Sequence, residues 1–136
     1  MLQPRKQKYR KSFNPNMGGK ATRGCKVTAG EFGLQSLDRS WLTARQIESA
    51  RKAIVRETKR RGKLWLKVFP DVPVTAHAAE TRMGGGKGDV DHYILAVKPG
   101  RIIFELGGVD EKIAKEAFRK AAQKLPVLTR FVIKTI

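Results

Sequence analysis

The sequence predicts an α+β fold: a two-layer sandwich with two helices on a mostly antiparallel sheet, plus an extended basic N-terminal arm and a glycine-rich loop. Three observations carry that prediction. Residues 43–61 and 110–125 place apolar side chains at helical spacing behind capping signals. Short runs rich in Val, Ile, Leu and aromatic residues end at Gly or Pro, as strands do. Residues 1–24 show neither pattern, because their apolar residues (Leu2, Tyr9, Phe13, Met17) are few and aperiodic.

That first segment cannot bury enough surface to fold alone, so residues 1–24 are expected to be an arm that is disordered when free and ordered on a polyanion. Residues 25–136 then make a single domain. Within it, Val27–Ala29 and Phe32–Leu37 read as two short strands around Gly30-Glu31. Thr43 and Gln46 have capping-box spacing, and Leu42 is placed to staple onto Ile47. Ile47, Ala50, Ile54 and Thr58 share one helical face, and Gly62 supplies the stop. Lys63–Phe69 reads as a strand with Leu64, Leu66 and Val68 on one face; Val72–Thr75, containing Pro73, reads as an edge segment. Residues 80–89 hold four glycines and cannot be regular. Val90–Val97 and Arg101–Leu106 read as a hairpin across Lys98-Pro99-Gly100. Asp110 is the expected N-cap of the second helix, with Ile113, Ala114, Ala117, Phe118, Ala121 and Leu125 as its stripe and Pro126 as its end. Val127–Ile133 is the last strand.

Charge narrows the function. The 136 residues carry 29 Lys+Arg against 12 Asp+Glu, a net charge of +17 on a length that suits one domain. Such a surplus repels itself unless a polyanion offsets it, so nucleic acid is the expected partner and an anionic membrane surface the alternative. The membrane alternative needs bulky apolar residues on an amphipathic helix, and the first helix offers mainly Ile47 and Ile54. No run approaches the roughly 18 apolar residues of a membrane span. The N-terminus lacks the apolar core of a secretory signal, and Pro4, Asn14-Pro15-Asn16 and Gly18-Gly19 break any presequence helix.

Catalytic and metal constellations are missing from the pattern. Cys25 stands alone, without a histidine near it in sequence, so neither a disulfide framework nor a zinc module is expected. His77 and His92 flank the glycine loop with only Glu80 and Asp91 as close acids. Gly84-Gly85-Gly86-Lys87-Gly88 is not a nucleotide-binding phosphate loop, since no Ser or Thr follows the lysine. It reads instead as a flexible basic finger, with Arg82 and Lys87 able to approach a phosphate chain. A second electropositive feature is the first helix, where Arg45, Lys52, Arg56 and Lys59 share a face and Arg51, Arg60, Arg61 and Lys63 widen it. Residues 105–116 hold four acids (Glu105, Asp110, Glu111, Glu116), a side expected to face solvent or protein. An independent RNA-binding or chaperone module would share these charges.

Several segments resemble one family. They are Met1-Leu2-Gln3-Pro4-Arg5-Lys6-Gln7-Lys8-Tyr9-Arg10-Lys11, Leu42-Thr43-Ala44-Arg45-Gln46-Ile47-Glu48, Gly62 to Asp71, Arg82-Met83-Gly84-Gly85-Gly86-Lys87-Gly88, Val97-Lys98-Pro99-Gly100 and Lys124-Leu125-Pro126. Together they are similar to bacterial-type large-subunit ribosomal protein L-sixteen (the universal uL-sixteen family), in order and over essentially the whole chain. The resemblance departs at Val72, where lysine is common, at His77-Ala78-Ala79, and at Ile94 after Tyr93.

The resemblance implies a hammerhead-like α+β sandwich and a structural, non-enzymatic constituent of the large subunit. Its implied partners are 23S-type ribosomal RNA, transfer RNA in the A site or P site, and neighbouring ribosomal proteins. Neither a cofactor, a metal, a membrane nor a homo-oligomer is expected. The expected ribosomal-RNA contacts are Arg5, Lys6, Lys8, Arg10, Lys11, Lys20, Arg23, Arg45, Arg51, Lys52, Arg56, Lys59, Arg60 and Arg61. The finger expected near transfer RNA and the peptidyl-transferase region is Arg82, Met83, Gly84, Gly85, Gly86, Lys87 and Gly88. The expected location is the ribosome of a bacterial cytoplasm, with an organellar ribosome as the alternative.

Overall fold

A computed structural model describes residues 2–80 and 82–135; Thr81 of the loop and Met1 of the arm lie outside it, as does Ile136. The elements run β1 Phe32–Ser36, β2 Ser40–Thr43, α1 Ala44–Thr58, β3 Lys63–Leu66, β4 Val72–Ala76, β5 Asp89–Val97, β6 Ile102–Gly107, α2 Glu111–Ala122 and β7 Thr129–Ile133. The predicted α+β class is observed, but the strands divide between two sheets. One has the order β3-β6-β1-β7 and the other β2-β5-β4, and every pairing described is antiparallel.

The predicted hairpin of residues 90–106 is therefore corrected. β5 is the centre of the three-stranded sheet and β6 lies inside the four-stranded one. The chain changes sheet at Gly100-Arg101, where the Gly100 N–H donates to Ser36 O and the Ser36 N–H donates to Arg101 O, both at 2.8 Å. Those bonds hand β6 to β1 rather than back to β5. All six residues of β6 are buried, and Glu105 is the one charged residue among them.

Helix α1 begins as the spacing predicts. Thr43 Oγ1 accepts from the Gln46 N–H at 3.2 Å, and Gln46 Oε1 accepts from the Thr43 N–H at 3.0 Å. Its end differs: the helix stops at Thr58, and Lys59 and Arg60, not Gly62, first take the left-handed conformation, with φ 54° and 64°. Residue 110 caps α2 by its backbone alone, without a side-chain bond. Leu42, Ile47, Ala50 and Ile54 join Phe104, Leu106, Ala114, Ala117 and Phe118 in one core. Helix α1 lies on β2 and β5, α2 lies on β1 and β7, and the helices pack on each other. A Glu57–Lys120 ion pair at 2.5 Å ties them at the surface. No described helix is long and apolar enough to cross a membrane.

The helices cover only the Phe32, Leu34, Phe104 and Leu106 face of the four-stranded sheet. Residues 24–31 cover the other, which corrects the predicted strand at Val27–Ala29. They run without regular pairing, held by Ile102 N–H to Gly24 O at 2.7 Å and Glu31 N–H to Leu106 O at 3.0 Å. Their own N–H groups need an acceptor, and Glu105 supplies it. Its Oε1 accepts from Thr28, Ala29 and Gly30 at 3.0, 2.7 and 2.9 Å. Gly30 is required there, since a Cβ would sit 2.9 Å from Leu106 O. Glu105 is thus fully buried rather than solvent-facing as its sequence neighbours suggested, with Lys67 Nζ 3.6 Å from its other oxygen.

Burial raises the Glu105 pKa, but the three N–H donors and Lys67 outweigh it and hold the carboxyl below its ordinary 4.5. A carboxyl lowered in the folded state stabilises above its unfolded pKa and loses that contribution as pH falls through the folded value. Glu105→Gln should cost about 1.5–3 kcal/mol at neutral pH. It should also flatten the decline of stability on acidification below 4.5. Chemical denaturation across pH checks both; equal pH profiles for the two proteins would refute the assignment.

Candidate nucleic-acid interface

Helix α1 offers its outer side to solvent because Ile47, Ala50 and Ile54 pull the opposite side into the core. Arg45, Lys52, Arg56 and Lys59 are all exposed on that outer side, and Arg60 and Arg61 extend it. None of these six has a carboxylate within 4 Å among the described residues. Arg51 differs: it pairs with Glu48, whose carboxyl is lowered chiefly by that hydrogen bond, while Glu48 raises the Arg51 pKa. Glu57, the other acid on the helix, is turned to Lys120 of α2. The helix's acids therefore do not neutralise its outward cations. Arg51, Lys52, Val55, Arg56, Lys59 and Arg60 line an open groove at the helix C-terminal end, where the helix dipole also favours positive charge.

The arm is laid over the three-stranded sheet. Leu2 packs against the core, and Gln7 Nε2 donates to Asp71 O at 2.7 Å. Arg5, Lys6, Lys8, Arg10, Lys11, Lys20 and Arg23 remain exposed. Arg10 meets Arg45 across a cleft at the start of α1 that is also lined by His92 and Tyr93. This juxtaposition joins arm and helix into one cationic surface. Farther along, the Ala21 N–H donates to Pro99 O at 2.9 Å. Arg101 reaches Arg23 O and Lys67 O at 3.4 and 3.3 Å. Arg101 holds the arm's root, a role its lone position in the sequence did not signal.

Arg82, Met83 and Gly84 to Lys87 are exposed, whereas Gly88 is buried, its Cα packed where a Cβ would lie 2.6 Å from Ala76 O. Gly84, Gly85 and Gly86 have φ of 104°, 79° and 88° with open space around them, a conformation closed to most side chains. Lys87 ties the finger to Lys11, Ser12 and Phe13 of the arm. His77 is exposed, and His92 Nδ1 lies 2.7 Å from Asp91 Oδ2. No cluster of three metal-ligating side chains occurs among the described residues. Asp110 and Glu111 are exposed, Glu116 pairs with Arg119, and Asp91 lines the cleft beside Arg10 and Arg45.

Left-handed geometry at Arg60 is unfavourable for a side chain by about 1 kcal/mol. Arg60→Gly should therefore raise unfolding stability by about that amount while weakening binding to duplex RNA. Paired denaturation and binding titrations check it. A destabilised Gly variant would mean that the Arg60 side chain packs rather than standing free.

The family model described as ribosomal protein L16p/L10e matches residues 4–132. A large ribosomal subunit protein uL16 of Sulfurihydrogenibium is 60% identical over 132 residues, covering 97% of this chain and 96% of its own. The uL16 of Trichodesmium erythraeum is 54% identical over 98% of both chains. The protein uL16c of Phaeodactylum tricornutum is 56% identical over 98% of this chain and 97% of its own.

Proposed function

Since the chain belongs to the ribosomal protein L16p/L10e family, structural and non-enzymatic constituents of the large ribosomal subunit, we propose that it binds 23S-type ribosomal RNA through its arm and the outer side of α1. Its finger reaches towards A-site transfer RNA. The observation that carries this reading is the cleft where Arg10 of the arm meets Arg45 of the helix. It makes the unpaired cations of both segments one surface wide enough for several phosphates. No bond-making chemistry is required of it. The finger contributes two cations, Arg82 for a forked or stacked contact and Lys87 as a point charge.

Relatives with plastid and bacterial names match at comparable identity, 56% and 54%. We propose a bacterial ribosome in the cytoplasm, with an organellar ribosome as the alternative, and one copy of this chain among neighbouring large-subunit proteins.

Tagged protein should co-sediment with large subunits at low salt and be released by a high-salt wash. With six to ten phosphate contacts its RNA affinity should fall roughly 10³–10⁵-fold between about 50 and 200 mM salt. A flat salt response, or no co-sedimentation, would refute the ribosomal-RNA reading. Arg82→Ala should leave folding and subunit assembly intact while weakening A-site transfer RNA binding by the roughly 1.5–3 kcal/mol of a charged hydrogen bond. Unchanged transfer RNA affinity would reduce the finger to an assembly element.

A further inference from the structure

We propose that Lys11, Phe13 and Lys87 form one composite site for a single-stranded stretch of RNA, with one phosphate shared by the two ammonium groups and one base stacked on Phe13. The proposal rests on the RNA-binding reading above and says how arm and finger act together. Two exposed segments some 75 residues apart are crossed here. Lys11 Nζ donates to Lys87 O at 3.1 Å, and Lys87 Nζ donates to Ser12 O at 2.6 Å. The Lys87 ammonium also lies 6.0 Å from the centre of the Phe13 ring.

Each lysine therefore reaches across to the other segment's backbone. Exposed contacts of this kind are individually weak, and both residues at this crossing carry positive charge. Neither lysine has a carboxylate within 4 Å among the described residues. An ammonium has three donors, so each keeps donors for a ligand after its carbonyl bond. A phosphate accepting from both would offset these charges and close the crossing. Phe13 is 94% exposed, a ring held beside a cation with its surface open to a base. A Cβ at Gly84, Gly85 or Gly86 would meet nothing within 4 Å, so the tip of the finger stands open beside the crossing at Lys87.

Shared occupancy has a signature that separate contacts lack. The test titrates the full-length chain with a labelled oligouridylate of about twelve nucleotides, a length within the range one such surface covers, at several salt concentrations. Lys11→Met and Lys87→Met should each weaken binding about fivefold and lower the salt slope by about 0.7, the value of one phosphate. The double variant should lose little beyond either single one and keep the same slope. Phe13→Leu should weaken binding at least about fivefold with the slope unchanged. All three substitutions are at exposed sites, and unchanged thermal unfolding would show that folding is intact. Losses that multiply in the double variant, with a slope lowered by twice as much, would overturn the shared site. Wild-type protein that joins large subunits but ignores the oligomer would overturn this site and spare the ribosomal-RNA reading; failure at both would remove both.

Discussion

A single buried carboxylate sets the geometry from which the interface follows. β6 is central to its sheet, and only one side of that sheet has helices. The other side is closed by residues 24–31, a stretch in which the N–H groups of Thr28, Ala29 and Gly30 go to a side chain rather than to a strand. Buried donors left unpaired would cost about 1–3 kcal/mol each. Glu105 satisfies three of them with one oxygen, and those donors with Lys67 stabilise a charge that burial alone would neutralise. The root of the arm is thereby fixed to the fold's most buried strand. The direction in which residues 2–23 leave the domain is a consequence of that attachment, reinforced by Arg101 at Arg23 and by Ala21 at Pro99.

The same logic explains where the surplus charge collects. A net charge of +17 need not be one-sided. Four of the chain's twelve acids are turned to partners off the outer side of α1 or at its edge: Glu105 inside with Lys67, Glu57 with Lys120 of α2, Glu116 with Arg119, and Glu48 with Arg51. Many of the cations without a carboxylate partner among the described residues lie on the arm and the outer side of α1, where mutual repulsion disfavours the free protein and a polyanion relieves it. Fold and function meet in this distribution.

Local signals were legible and long-range ones were not. Thr43 and Gln46 announced a helix start because a capping box is complete within four residues. Pro73 marked an edge strand because proline cannot donate to a second neighbour. The outer cations of α1 followed from period alone. By contrast, Val27–Ala29 carries strand-forming residues, yet a carboxylate 75 or more positions away takes its donors. The turn at Lys98-Pro99-Gly100 suits a hairpin, and only Ser36 diverts it between sheets. Lys59 and Arg60 hold a conformation usually left to glycine, so Gly62 drew the helix boundary too far. Glu105 was grouped with surface acids because sequence proximity says nothing about which face of a strand is covered.

The central claim is that the arm and the outer side of α1 form one phosphate-binding surface, oriented by the fold. Electron cryomicroscopy of large subunits reconstituted with this chain tests it most directly. The account expects RNA phosphates beside Arg10, Arg45, Lys52 and Arg56 of the same molecule, with the finger directed towards the transfer RNA path and α2 facing away from the RNA at α1. Density in which α2 and the Glu116–Arg119 side meet the RNA, while Arg45 and Arg56 face solvent, would contradict it.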